Sequence, residues 1–255
     1  MQANALSPSP AMPAKPAQPG TTPFHPPSPT IARAAGWLAI FHALLFLVPL
    51  TVLGTAIGWP ANLDMGAAHN LPLLRQAAAS VTTGYSVYLL YSILFWPAVL
   101  LIARALAGRD ALPPLLQLAV GFALLSTLAR CLGIMRWLSV MPVLASQWAG
   151  ADASGQAVLA VVYEGFNAYA GRLGEVLGVF LFAAISVGLL SLALWRQRVL
   201  PRWLAWLGAA TTAGLGLLSL EVFGLDMGAF IAPFSMLYML WMVCLGIMLI
   251  RRARG

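Results

Sequence analysis

Charge is what this chain has least of. Only 8% of its 255 residues are Asp, Glu, Lys or Arg, against about 25% in a soluble globular protein. So few charges cannot cover the surface of a soluble domain of this length. Histidine is scarce at three residues and cysteine at two. Cys131 and Cys244 lie inside apolar runs, without a CxxC pair or a His-rich neighbourhood, and read as small buried hydrophobes. No metal site is expected, because zinc needs several converging ligands. The GxSxG, HExxH, GxxxxGK[ST] and GxGxxG patterns are missing too, so none of the hydrolase, metalloprotease, P-loop or dinucleotide signatures applies. A haem held by two axial ligands at helix spacing is not expected from one intramembrane histidine. The sequence implies no cofactor.

Apolar residues are abundant. They make up 61% of the chain, with a mean hydropathy of +0.86. Residues 1–30 stand apart, with nine of the 18 prolines mixed with Ala, Ser, Gln and Thr. Such a segment buries too little apolar surface to offset its ordering entropy, and reads as a disordered or polyproline-like tail. Residues 31–255 then hold six apolar runs, near 35–58, 81–106, 115–135, 173–195, 203–220 and 229–250. Each is near the roughly 20 residues that cross about 30 Å of hydrocarbon. The expected fold class is an all-α integral membrane bundle of six transmembrane helices plus an external amphipathic helix.

The net charge of +7 has a pattern. With six spans, the face of the N-terminus carries Lys15, Arg33, Arg104, Arg109, Arg196, Arg198, Arg202, Arg251, Arg252 and Arg254, against Asp110. The other face carries Arg75, Arg130, Arg136 and Arg172, with Asp64, Asp152, Glu164, Glu175, Glu221 and Asp226. The positive-inside rule then places both termini in the cytoplasm. Trp37, Trp195, Trp203 and Trp206 fall near the inner interface and Trp59, Trp137 and Trp148 near the outer one, the depth indole rings prefer. No basic patch with interleaved aromatics exists, which argues against nucleic acid as a partner. Membrane lipids are the expected surroundings.

Two outer connections carry structure of their own. Asn70 to Arg75 reads as a helix start with Asn70 as the cap. Between Arg136 and Arg172, Leu159, Val162, Phe166 and Tyr169 recur at steps of three, four and three, which marks one apolar helical face. This is the external amphipathic helix. No proline separates it from the fourth span, so the two read as one long helix bent near Gly171 and Gly174. Gly174 and Gly178 form a GxxxG pair. Small residues let helix backbones approach closely in lipid, either inside one chain or in a homo-oligomer through that face.

Ionisable groups at membrane depth are costly and mark sites. Arg130 and Arg136 lie at the outer end of the third span, and Glu164, Asn167, Arg172 and Glu175 follow in one helical region. These six are expected to meet as a polar cluster. It can be a structural clamp or a site for an anionic or zwitterionic headgroup or a small solute. His42 is the only histidine within a span. It reads as a hydrogen-bonded packing residue or as an intramembrane polar site that relays protons. Tyr85, Ser86, Tyr88, Tyr91 and Ser92 in the second span can line a polar cavity or bond between helices.

Arg136-Trp-Leu-Ser-Val-Met-Pro, Tyr163-Glu-Gly-Phe-Asn-Ala-Tyr-Ala-Gly and Gly174-Glu-Val-Leu-Gly together resemble a bacterial family of multi-pass inner-membrane proteins. Leu200-Pro-Arg-Trp-Leu-Ala-Trp-Leu-Gly resembles the same family's short inner loop. The resemblance runs from about Arg33 to Arg252. The family is catalogued only as a domain of unknown function, so it implies a location and no activity. Three functions remain in contention: a non-enzymatic module that binds a lipid, a small ligand or a protein partner; a small solute or proton transporter or channel; and an intramembrane enzyme without a recognised motif.

Overall fold

A computed structural model of the chain describes residues 28–108 and 111–254. The proline-rich tail up to residue 27, with Lys15, lies outside the described residues, as do Arg109 and Asp110 of the expected inner loop. Ten α-helices follow in order: α1 (Pro29–Leu45), α2 (Leu47–Ile57), α3 (Ala67–Gln76), α4 (Ala78–Ala107), α5 (Pro114–Leu138), α6 (Val140–Trp148), α7 (Ala153–Gly171), α8 (Ala183–Gln197), α9 (Arg202–Leu218) and α10 (Gly228–Arg252). A π-helical segment, Arg172–Phe182, joins α7 to α8. Short 3₁₀ turns occupy Ala61–Asp64 and Ser219–Phe223. No strand occurs among the described residues.

Six helical stretches of the described residues are long and apolar enough to cross a membrane: Pro29–Ile57, Ala78–Ala107, Pro114–Trp148, Ala153–Gln197, Arg202–Phe223 and Gly228–Arg252. The chain is thus a multi-pass membrane-helix bundle. Prolines set several of its boundaries. Pro29 and Pro114 open α1 and α5, where a missing N–H costs nothing. Pro49 and Pro142 instead lie just inside α2 and α6, and in both cases the helix breaks three residues earlier, at Phe46 and Ser139. A proline ring displaces the carbonyl four residues back and offers it no donor, so the preceding turn opens.

The spans pack in chain order, each on the next. The first packs on the second, the second on the third, and so on to α9 and α10, while α10 closes the ring on α1. Toward the end that carries the termini, the ring is filled by apolar side chains, among them Ile102, Leu106, Leu116, Leu190, Leu194, Leu245 and Leu249. The opposite end, here called distal, has a second core around Leu53, Leu71, Tyr85, Trp137, Met141 and Tyr163.

The long fourth helix runs unbroken from Ala153 to Gln197. Its α7 part turns an unexpected face inward. Tyr163 and Ala170 are buried and Asn167 half-buried, whereas Val162, Phe166 and Tyr169 of the apolar stripe are exposed. Leu159, the fourth residue of the stripe, is half-buried against the distal core. The bend expected near Gly171 and Gly174 takes the form of the π segment, whose wider turn starts at Arg172.

Candidate functional site

A central cavity lies on the axis of the ring and is lined from all six spans. Phe46 comes from the first, Tyr88 and Tyr91 from the second, Arg130 from the third, and Glu175 and Val179 from the fourth. Leu215 comes from the fifth, and Ile231 and Tyr238 from the sixth. This chamber encloses about 60 Å³. A side recess of about 30 Å³ adjoins it and reaches Tyr85, Arg136 and Trp137. Distally it meets a vestibule of about 600 Å³ walled by Asp64, Glu175, Glu221, Asp226 and the loop around Gly224. Glu175 borders all three spaces.

Gly171 at the end of α7 and Gly178 in the π segment make room for the arginines. Arg130, Gly133 and Arg136 project from one face of α5, at successive steps of three. A Cβ on Gly178 would lie 3.0 Å from the Arg130 Cγ, and one on Gly171 would lie 3.2 Å from the Arg136 Nη1. Between them, a Cβ on Gly133 would meet the Gly174 Cα at 2.6 Å. The backbones therefore touch at the middle of the row, and an arginine stem fits on either side. Gly174 and Gly178 thus pack on α5 of the same chain. Ser126 reinforces the contact, its Oγ donating to the Gly178 carbonyl at 2.7 Å.

The two arginines are treated differently. Arg136 Nη2 donates to Glu175 Oε1 at 3.1 Å, and the Arg136 guanidinium stacks 5.2 Å from the Trp137 ring centre. Arg130 is 3% exposed, and its Nε and Nη1 have no hydrogen-bond partner. Its charge rests on aromatic side chains, 4.6 Å from the centre of Phe95 and 5.8 Å from that of Tyr91, whose side chain also hydrogen-bonds it. A desolvated cation–π contact contributes about 2 kcal/mol. Withdrawing an ion from water costs several kcal/mol even after relaxation. The rings alone do not balance that cost, so an anionic group in the chamber would lower the energy of the site.

His42 is fully buried beside this arrangement. Its ring stacks on Tyr91 at 4.3 Å and its Nε2 hydrogen-bonds the Tyr238 hydroxyl at 3.0 Å. Its Nδ1 has no partner. The sequence singled out His42 but not Tyr238, which is 196 residues away; a tyrosine in an apolar run carries no sign of its partner. Of the second-span tyrosines, Tyr88 and Tyr91 line the chamber. Tyr85 instead stacks flat on Trp137 at 5.0 Å.

The remaining expected cluster members sit further out. Asn167 Nδ2 donates to the Leu63 carbonyl at 2.9 Å and so ties α7 to the 58–66 loop. Glu164 and Arg172 are exposed. The structure brings Arg130 and Glu175 to the chamber and Arg136 to its side recess, and leaves Glu164, Asn167 and Arg172 outside both. Asn70 is not a helix cap. Gly66 holds the N-cap position of α3, and Asn70 is buried inside the helix. Its Nδ2 donates to the Asn62 carbonyl at 2.8 Å and to the Met65 carbonyl at 2.7 Å. A buried amide must find partners, and here it folds the loop back over α3. Asp64, Glu221 and Asp226 were legible as outer acids, but their convergence on one vestibule depends on how the 58–66 and 224–228 loops fold. No metal-binding group of three or more His, Cys, Asp or Glu occurs among the described residues.

Residues 34–253 match the family model described as Domain of unknown function (DUF4386), and the chain belongs to that family. Neither a curated protein nor a solved structure matches it.

Proposed function

We propose that this family member is a membrane-embedded binding module whose ligand enters the distal vestibule and places an anionic group against Arg130. The observation that carries the reading is the Arg130 guanidinium, buried in the bundle with two nitrogens unpartnered and facing an open chamber. Arg136 and Glu175 form the structural half of the site, because they pair with one another, although the Arg136 Nε has no partner. Glu164, Asn167 and Arg172 sit at its periphery. The charge asymmetry of the loops supports a bacterial inner membrane location with both termini cytoplasmic and the vestibule outside.

Transport is the second reading. It is favoured by a cavity that every span lines and by an irregular π-wound helix at membrane depth, features shared with transporter sites. The apolar fill between the chamber and the terminal end would then be the closed gate. His42, beside the chamber, would be the group through which protons couple.

The test is native mass spectrometry of the full chain in nanodiscs, wild type beside Arg130→Gln. A discrete bound mass that disappears in the folded variant supports binding. An identical spectrum in both, with no bound mass, overturns it. Flux of the identified ligand in liposomes, lost in His42→Ala, would move the assignment to transport.

A further inference from the structure

Size and sign divide the site into two parts. A water molecule needs about 10–15 Å³ of such volume, and the chamber offers about 60 Å³. It holds a compact group of a few heavy atoms, such as a phosphate, and nothing larger. A ligand anchored on Arg130 must leave its remainder in the vestibule, which is ten times roomier at about 600 Å³. The vestibule has the opposite charge. Asp64, Glu175, Glu221 and Asp226 are on its wall, with no Lys, Arg or His among the wall residues. Glu175 is engaged by Arg136. The Oε2 of Glu221 is buried without a partner. One oxygen of Asp226 accepts from the Gly228 N–H at 3.0 Å, and the Asp226 side chain is exposed. Arg172 is exposed and is not a wall residue, although its charge is felt at Glu221. Carboxylates gathered in a cleft with low-dielectric walls concentrate cations. The rim of the mouth is apolar, with Phe223 79% exposed and Val222 and Leu225 about half exposed. That suits the depth where lipid headgroups meet the bundle.

We propose that the ligand is zwitterionic, with a phosphate on Arg130 and an ammonium among Asp64, Glu221 and Asp226: the chemistry of phosphoethanolamine, as a lipid headgroup or as the free compound. This rests on the binding reading above and names its ligand class. An anion alone would have to pass Asp64, Glu221 and Asp226 to reach Arg130. A cation alone would have no reason to enter the chamber. A molecule carrying both charges satisfies both ends.

The experiment titrates the full chain, in an uncharged maltoside detergent, with four probes: short-chain phosphatidylethanolamine, short-chain phosphatidylglycerol, phosphoethanolamine and inorganic phosphate. Trp59 lines the chamber and is one of nine tryptophans, so the emission change that is lost in Trp59→Phe reports occupancy, and native mass spectrometry counts the bound molecules. The zwitterionic lipid is expected to bind up to about fivefold more tightly than the anionic one, since a contact with a solvent-exposed carboxylate is worth up to about 1 kcal/mol. Asp226→Asn and Glu221→Gln should narrow that ratio while leaving or raising phosphatidylglycerol binding. Arg130→Gln should abolish binding of all four. Binding by the lipid alone assigns a headgroup, and binding by free phosphoethanolamine as well assigns the shared moiety. Equal binding of the two lipids, or a ratio unmoved in Asp226→Asn, overturns the zwitterion and leaves the anion site standing. No probe bound, or binding indifferent to Arg130→Gln in a folded protein, overturns both. Asp226 is exposed, so its variant remains informative even where a buried-site variant unfolds.

Discussion

Gly133 and Gly174 put the backbones of the third and fourth spans in direct contact: a Cβ built on Gly133 would lie 2.6 Å from the Gly174 Cα. On either side of this contact an arginine lies against a further glycine. Close approach in the middle and room at the flanks are two results of one row of small residues. In lipid, where apolar burial gives no drive between helices, such packing is a main source of association.

Gly133→Ala should therefore destabilise the protein by about 1–3 kcal/mol, the usual cost of overpacking, because the obstructing atoms are backbone. Thermal unfolding in detergent, followed by circular dichroism, should show a lowered midpoint. Gly165→Ala is the control. A Cβ there meets nothing within 4 Å, and alanine in a helix is favoured over glycine by about 0.5–1 kcal/mol. Its midpoint should hold or rise.

Glu175→Gln removes the partner of a buried guanidinium. Breaking a fully buried pair costs about 3–5 kcal/mol. The Glu175 side chain is 33% exposed, so water replaces part of the loss and the cost should fall below that range. Replacing both groups, as Arg136→Met with Glu175→Leu, should recover much of the stability. A double variant less stable than either single one would show that the pair does more than satisfy itself.

Asp152 caps α7. Its Oδ1 accepts from the Gly155 N–H at 2.8 Å and from the Ser154 hydroxyl at 3.0 Å. These donors, the Gly155 N–H first, hold its carboxyl below the ordinary carboxylate range. A lowered folded-state value means that the cap contributes fully above the ordinary range and is lost as pH falls through the lowered value. Hydrogen exchange at Gly155 should be protected at neutral pH and speed up, relative to the intrinsic rate, on acidification. Asp152→Asn should remove this pH dependence while keeping a cap.

A topology reporter fused after the last residue and one placed in residues 107–114 should both report the cytoplasm. One placed in residues 150–160 should report the outside. If the last also reports the cytoplasm, the six-span layout is wrong.

Depth was legible and rotation was not. Arg130, Arg136 and Glu175 could be set at one level by counting residues from the span ends, and they do meet. Arg172 lies within a turn of Glu175 but is exposed, Glu164 lies about 16 Å further along the same helix, and Val162, Phe166 and Tyr169 of the α7 stripe face outward. On a helix that is apolar all round, and in a solvent as apolar as the core, the pattern that reveals the buried face of a soluble helix is absent. The π segment was legible only as a bend, since the glycines that permit it do not specify how the turn widens. The vestibule was missed because its acids come from three separate parts of the chain.

The sequence by itself determined the solvent, the number of spans and the level of each charged residue. Hydrocarbon of fixed thickness demands a fixed length of apolar helix and keeps charge near its edges. The tertiary structure decided which side chains share a chamber: Tyr238 with His42, Glu175 with Arg136, and Arg130 with aromatic side chains. The Arg130 contact with aromatic side chains includes a hydrogen bond to Tyr91 as well as the ring faces, and these pairings depend on helix rotation and on backbone contacts a few ångströms wide, set by the summed packing of six spans rather than by any local run of residues.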